Sequence, residues 1–105
     1  MKHEKLMHHG GFSSLELYFI ELPSRKLVVI EEVYTKPEYR GLGYATELIT
    51  EAIETAKDWG ADCIELTVRQ DSPQIRKFYE DFGFEDRKQT AMRLSINKVQ
   101  WNPEG

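Results

Sequence analysis

Arg40, Gly41 and Gly43 lie together in the run Arg40-Gly41-Leu42-Gly43-Tyr44-Ala45. A fixed cation beside two residues without Cβ is suited to holding a phosphate, because an anion can approach the bare backbone closely. Beyond it, Leu48, Ile49, Ala52, Ile53, Ala56 and Trp59 repeat at the i, i+3, i+4, i+7 spacing of one helix face, and Gly60 marks the stop. The glycines therefore sit in the turn that opens a helix, where the first backbone N–H groups lack intrahelical partners and the macrodipole favours negative charge. The simpler alternative is a tight turn and nothing more, and the neighbouring residues must decide.

Two familiar phosphate loops do not match. No Gly-Lys-Ser/Thr follows the glycines, which excludes a Walker A loop. The dinucleotide fingerprint needs Gly or Ala at position 46, where the chain has Thr46. That fingerprint also places its glycines directly after a strand, whereas Thr35-Lys36-Pro37-Glu38-Tyr39 intervenes here. A Rossmann-like nucleotide binder is disfavoured on both counts.

What does match is Arg-x-x-Gly-x-Ala, read as Arg40, Gly43 and Ala45, directly downstream of Glu31-Glu32-Val33-Tyr34. This closely resembles the acyl-CoA loop of the GCN5-related N-acetyltransferases, Q/R-x-x-G-x-G/A after a strand often reading E-E-L-Y-V. A second stretch, Ser72-Pro73-Gln74-Ile75-Arg76-Lys77-Phe78-Tyr79-Glu80-Asp81-Phe82-Gly83-Phe84, resembles that family's N-x-x-A-x-x-x-Y-x-x-x-G-F. Two motifs in order and at the right separation are far more specific than either alone. Ser72 departs from the usual asparagine: it keeps a helix cap but lacks the amide that commonly contributes at the cofactor end. The resemblance runs from about Leu15 to Ile96. Typical members carry a further strand and two helices before that point, so the chain reads as a short member lacking them. It is then a minimal member, a fragment, or a protomer that borrows a wall from a partner.

The resemblance implies acetyl-CoA as cosubstrate. Its pantetheine arm would lie where the strand before the glycine loop and the strand after the helix splay apart, paired with backbone groups of Val33 and Thr35. Its pyrophosphate would meet the amides from about Leu42 to Thr46, through Gly43, Tyr44 and Ala45, with Gly41 in the turn and Arg40 adjacent. Ser72, Arg76 and Lys77 would serve the nucleotide end, although Arg76 and Lys77 can equally form a solvated basic face. Tyr79 matches the family tyrosine that protonates the departing thiolate, and a phenol of pKa about 10 is close enough to a thiol to do so. Otherwise Tyr79 belongs to the apolar face of Ile75, Phe78 and Phe82.

An acceptor amine must lose a proton before it attacks. Period-2 alternation puts Val29, Glu31, Val33 and Thr35 on one strand face and Ile30, Glu32 and Tyr34 on the other. Glu31 is the first candidate base, acting directly or through water. Glu32 is the alternative, because a bulge in this strand would swap the faces. Both can also be plain surface carboxylates.

These groups need a scaffold, and the chain's 105 residues suffice for one modest core. Segments 15–22 and 27–34 are rich in strand formers and joined by Pro23-Ser24-Arg25-Lys26, which predicts an antiparallel hairpin. Residues 63–68 alternate and predict a strand, so the helix between makes a parallel crossover and the sheet is mixed. Ser72 as N-cap and Pro73 as first residue predict a second helix ended by Gly83, and Met92, Leu94 and Ile96 alternate as a last strand. The fold class is α/β with a twisted mixed sheet. One domain over 15–96 is expected between an N-terminal arm at 1–14 and a polar tail at 97–105 that carries Trp101.

With 18 Asp and Glu against 14 Lys and Arg, the formal net charge is -4. That leaves no general electrostatic case for nucleic acid or an anionic membrane as partner. Cys63 is the sole cysteine, so an intrachain disulfide is impossible and a reducing, cytoplasmic setting is expected. It reads as a small buried hydrophobe. His8 and His9, adjacent in a flexible arm, lack the spacing of a structural metal site, and no metal is expected. The expected activity is transfer of an acetyl group to a primary amine of unidentified nature. The alternative is a module that binds acyl-CoA or another protein without turnover. Tyr18, Phe19 and Ile20 place apolar side chains on both faces of a strand expected near the sheet edge, which predicts a homodimer.

Overall fold

The computed structural model describes residues 2–98, which group into two compact units, Met1–Val68 and Arg69–Gly105. The first holds strand β1 (Lys2–His8), a 3-10 turn (His9–Gly11), β2 (Ser13–Glu21), β3 (Lys26–Thr35), a 3-10 turn (Pro37–Tyr39), helix α1 (Tyr44–Trp59) and β4 (Cys63–Glu65). The sheet order is β1-β2-β3-β4, antiparallel between the first three strands and parallel between β3 and β4. This is the mixed α/β sheet with a crossover helix that the sequence predicts.

Alternation explains the packing. On β2, Ser13, Leu15, Leu17 and Phe19 are buried, while Ser14, Glu16, Tyr18 and Ile20 between them are half-buried. The buried set shares a core with Val28 and Ile30 of β3 and with Leu48, Ile49, Ala52 and Ala56 of α1. Each such leucine or isoleucine contributes about 1.5–3 kcal/mol by leaving water. Trp59 closes the end of this core edge-on to Phe19, with ring centroids 5.2 Å apart, and Lys26 Nζ lies 5.0 Å from the Trp59 ring centre. Gly60 stops the helix in the left-handed conformation (φ 89°), where the amides of Gly60 and Ala61 donate to the carbonyls of Lys57 and Ala56.

Several expectations are corrected. Residues 2–8 are not an arm: β1 pairs with β2 from Lys2↔Phe19 to His8↔Ser13. Consequently β2 is an interior strand, and β1 stands at the edge. The pairing of β4 covers only Cys63–Glu65 and ends at Val29↔Glu65, although β3 runs on to Thr35, and the alternating residues Leu66 to Val68 form no ladder. In the second unit, α2 spans Pro73–Glu80 and ends before Gly83. Tyr79 is buried there and Phe78 and Phe82 are half-buried, but Ile75 is exposed. The last strand is absent: residues 91–95 are irregular, and Met92 is 92% exposed. A two-residue alternation becomes a strand only when another strand accepts its backbone hydrogen bonds, and none among the described residues does so. Trp101 lies outside the described residues. Among them, no helix is long and apolar enough to cross a membrane.

The contrast between Leu17 and Met92 is measurable. Leu17→Ala should lower unfolding stability in urea by about 2–5 kcal/mol, whereas Met92→Ala should stay within about 0.5 kcal/mol. A large loss in the second variant would show that residue 92 is packed after all.

Candidate active site

The register between β2 and β3 slips at one place. Glu16 faces Glu31 and Ser14 faces Tyr34, so the single residue Leu15 stands opposite both Glu32 and Val33. This is a β-bulge, and Glu32 adopts a left-handed backbone (φ 54°) to make it. The insertion swaps the faces that simple alternation assigns. Tyr34 joins Glu31, while Thr35 turns to the core side, where its hydroxyl lies 3.3 Å from that of buried Ser13. Glu32 still lines the same hollow as Glu31.

That hollow is an open concavity of about 750 Å³ on the sheet face away from the buried residues of β2. Glu16, Glu31 and Glu32 line it together with Tyr18, Tyr34 and Lys5. Three carboxylates thus face one lysine. His3 donates or accepts at 2.9 Å with Glu16 Oε1 and stacks on Tyr18, centroids 4.6 Å apart. Glu16 escaped the sequence reading, yet its signal was present. Counting back pair by pair from Glu21↔Lys26 at the hairpin end reaches Glu16↔Glu31.

Past the bulge, β3 runs to Thr35 without a described strand on its β4 side, since the parallel pairing ends at Val29↔Glu65. The exposed backbone around Val33 therefore borders a gap between strands. The chain then turns through Pro37–Tyr39 into the glycine loop. Arg40 Nε donates to the Thr35 carbonyl at 3.1 Å, which ties the guanidinium to the end of β3 and leaves its terminal nitrogens as further donors. Gly41 and Gly43 have φ of 81° and 83°, and nothing lies within 4 Å of where either Cβ would stand. Backbone conformation, rather than crowding, demands glycine at both.

Gly43 is the N-cap of α1 and no side chain caps the helix, so the amides of Tyr44, Ala45 and Thr46 point out of an uncapped N-terminus. Leu42 is exposed beside them. Tyr44 is held between His9 (centroids 3.7 Å) and Tyr39 (5.9 Å), and Tyr39 stacks in turn on Phe12 (4.4 Å). An uncapped helix start with clear space over two glycines fits a pyrophosphate-bearing ligand.

In the second unit, the Ser72 side chain makes no cap hydrogen bond, and its carbonyl accepts from the Arg76 amide at 3.0 Å. Arg76 pairs with Asp86 at 3.0 Å and Lys77 with Asp81 at 3.1 Å. The Lys88 amide, aided by Arg76, holds the Asp86 carboxyl below its ordinary range. Tyr79 is 8% exposed, edge-on to Phe78 and Phe84. Burial pushes its phenol above the ordinary value, so it carries its proton at neutral pH.

A mixed sheet, a glycine turn opening its crossover helix and strands that part beside it define an α/β acyltransferase architecture. The chain belongs to the acetyltransferase (GNAT) family, whose model matches residues 9–84. It is 34% identical over 79 residues to an uncharacterized N-acetyltransferase of Methanocaldococcus jannaschii, covering 74% of this chain and 35% of that protein. It is 32% identical over 59 residues to a thialysine N-epsilon-acetyltransferase of Bos taurus, covering 56% of this chain and 35% of the relative. Among solved structures, an acetyltransferase of Trypanosoma brucei superposes with a TM-score of 0.73 at 28% identity, covering 83% of this chain and 62% of that one. The chain thus spans about a third of the length of these two relatives.

The buried phenol has a stability consequence. The folded protein gives up the Tyr79 proton less readily than the unfolded chain, so its contribution is full below about pH 10 and is lost as pH rises beyond that value. Urea denaturation from about pH 8 to about pH 11 should show a steeper decline for the wild type than for Tyr79→Phe. Equal declines would mean that the phenol is solvated.

Proposed function

We propose that the chain moves an acetyl group from acetyl-CoA to a primary amine that is cationic in solution. The observation that carries this reading is the grouping of Glu16, Glu31 and Glu32 in one open hollow on the face of the bulged strand. Carboxylates there attract an ammonium group and then remove its proton, with Glu31 as base, directly or through water, and Glu32 as the alternative. The relative named for thialysine, an amine bearing an amino group on its side chain, supports an acceptor of this class.

Acetyl-CoA supplies an acyl group activated as a thioester. Arg40, the turn at Gly41 and the amides from Leu42 through Gly43, Tyr44 and Ala45 to Thr46 hold its pyrophosphate, and backbone groups of Val33 and Thr35 hold its amides. Ser72, Arg76 and Lys77 serve the nucleotide end, the two cations exchanging their present carboxylate partners for phosphate. Tyr79 Oη holds the proton that the departing sulfur takes, and its raised pKa keeps that proton in place at working pH.

The single, half-buried Cys63 fits a reducing cytoplasmic setting. A homodimer remains part of the proposal on new grounds. β1, not β2, is the exposed edge, and the hollow beside it is open enough for a second copy to pack over it. Light scattering at micromolar concentration should give twice the chain mass. A monomeric mass with undiminished acetyl transfer would remove the dimer from the scheme.

Acetyl-CoA should raise the melting temperature of the wild type and not of Gly43→Glu, which sets a carboxylate where phosphate belongs. An unchanged wild-type curve at millimolar acetyl-CoA would overturn the donor assignment. With polyamines and lysine-like amines as acceptors and free CoA as readout, Glu31→Gln should lower turnover about 100-fold and Tyr79→Phe by about 10- to 1000-fold, with acetyl-CoA affinity little changed. Binding of acetyl-CoA without transfer to any cationic amine would make the chain a binding module instead.

A further inference from the structure

The ends of β1 and α1 bring together four side chains that the proposed acetyl transfer does not use. His8 closes β1 opposite buried Ser13, so its ring lies on the α1 side of the sheet. In a continuing strand His9 would point the other way. Instead His9 takes a left-handed backbone (φ 54°), followed by Gly10 (φ 67°), and this bend returns its ring to the same side. Glu47 and Glu51, four residues apart on α1, meet the two rings there.

The atoms are arranged in a definite order. Glu47 Oε2 lies 2.9 Å from His9 Nε2 and 3.8 Å from His8 Nδ1. The potential ligand atoms of His8, His9 and Glu47 all fall within 4.8 Å of one another. The opposite nitrogen of His8, Nε2, is hydrogen-bonded to Glu51 Oε2. A proton on Nε2 directed at Glu51 leaves the Nδ1 lone pair directed at Glu47 and His9. This is the layout of a carboxylate–histidine–metal relay, in which an outer carboxylate orients the ring. The His9 ring plane is fixed independently by stacking on Tyr44 at 3.7 Å and 11°.

We propose that His8 Nδ1, His9 Nε2 and the Glu47 carboxylate form a binding site for Zn²⁺ or a similar borderline divalent ion, oriented by Glu51. Two imidazoles and one carboxylate are the donor set of a three-ligand zinc site with remaining positions for water, and they disfavour Mg²⁺ and Ca²⁺, which take oxygen ligands. His9 and Glu47 are exposed, so an ion reaches the site from solvent. From sequence alone, His8 and His9 are adjacent residues of an arm without the spacing of a structural site, and nothing places Glu47 beside them. The bound ion would join the end of β1 to the first turn of α1.

The test uses the full chain, free of any histidine tag and stripped with chelator. Titration calorimetry with Zn²⁺ should show one saturable site per chain. His9→Asn, which tolerates the left-handed backbone, and Glu47→Gln should each weaken it at least about tenfold, with circular dichroism confirming the fold. Glu51→Gln should keep the stoichiometry and weaken affinity by about 10- to 100-fold. Histidine nitrogen NMR of the zinc-loaded protein should show His8 protonated at Nε2 and metal-bound at Nδ1. Absence of a saturable site, or an affinity unchanged in His9→Asn and Glu47→Gln, would overturn the proposal and leave the cluster as histidine–glutamate pairs.

Discussion

One extra residue in β3 decides which side chains share the hollow on the open face of the sheet. Leu15 faces both Glu32 and Val33, and accommodating the surplus forces Glu32 to φ 54°, a conformation that costs an ordinary residue about 1–2 kcal/mol. From Leu27 to Val29, β3 has partners on both sides; beyond Val29, it keeps only β2. A bulge also increases local twist. The placement of Tyr34 on the face of Glu31, and of Thr35 on the core side beside Ser13, depends on this irregularity.

The rest of the first unit resists the distortion. A ten-residue strand with a bulge near its end needs a firm base, and Val28 and Ile30 provide it by packing with Leu15, Leu17 and α1. Asp62 reinforces the other end: its carboxylate accepts from the Lys26 amide at 2.8 Å, and its own amide donates to the Lys26 carbonyl at 2.8 Å. These bonds pin the start of β3 to the connection between α1 and β4. The regular end of β3 is thereby held on both edges, and its deviation is confined to the end bearing the carboxylates.

Features encoded by local spacing were legible in the sequence. The apolar face from Leu48 to Ala56 and the stop at Gly60 give α1, and the turn chemistry of residues 22–25 gives the hairpin. The two motifs identify the family because they concern backbone shape at Gly41 and Gly43 and a fixed succession of residues around Tyr79. Features that require a distant partner were not legible. Residues 2–8 are polar enough to read as an arm, yet β2 supplies their ladder. Met92, Leu94 and Ile96 show the opposite error, having the alternation of a strand without a described partner. The bulge itself was foreseen only as a condition, because one inserted residue leaves no mark on a run such as Glu31-Glu32-Val33-Tyr34.

In the proposed reaction, the charge arrangement gives two ligands of opposite sign separate places on so small a chain. The net charge of -4 would oppose the proposed polyanionic donor, so its attraction would come from local fields. The uncapped N-terminus of α1 provides one through oriented amides, with Arg40 beside it and no carboxylate between Arg40 and Thr46. Glu47, the acidic residue of the first helical turn, is engaged by His9. The carboxylates of the hollow stand on β2 and on β3 before and within the bulge, where a cationic amine is the complementary ligand. The chain changes sign within the nine residues from Glu32 to Arg40 by changing backbone conformation. A bulged strand presents acidic side chains, and a glycine turn presents amide hydrogens. In the proposed reaction, that short passage keeps the phosphate and the ammonium from competing for one site.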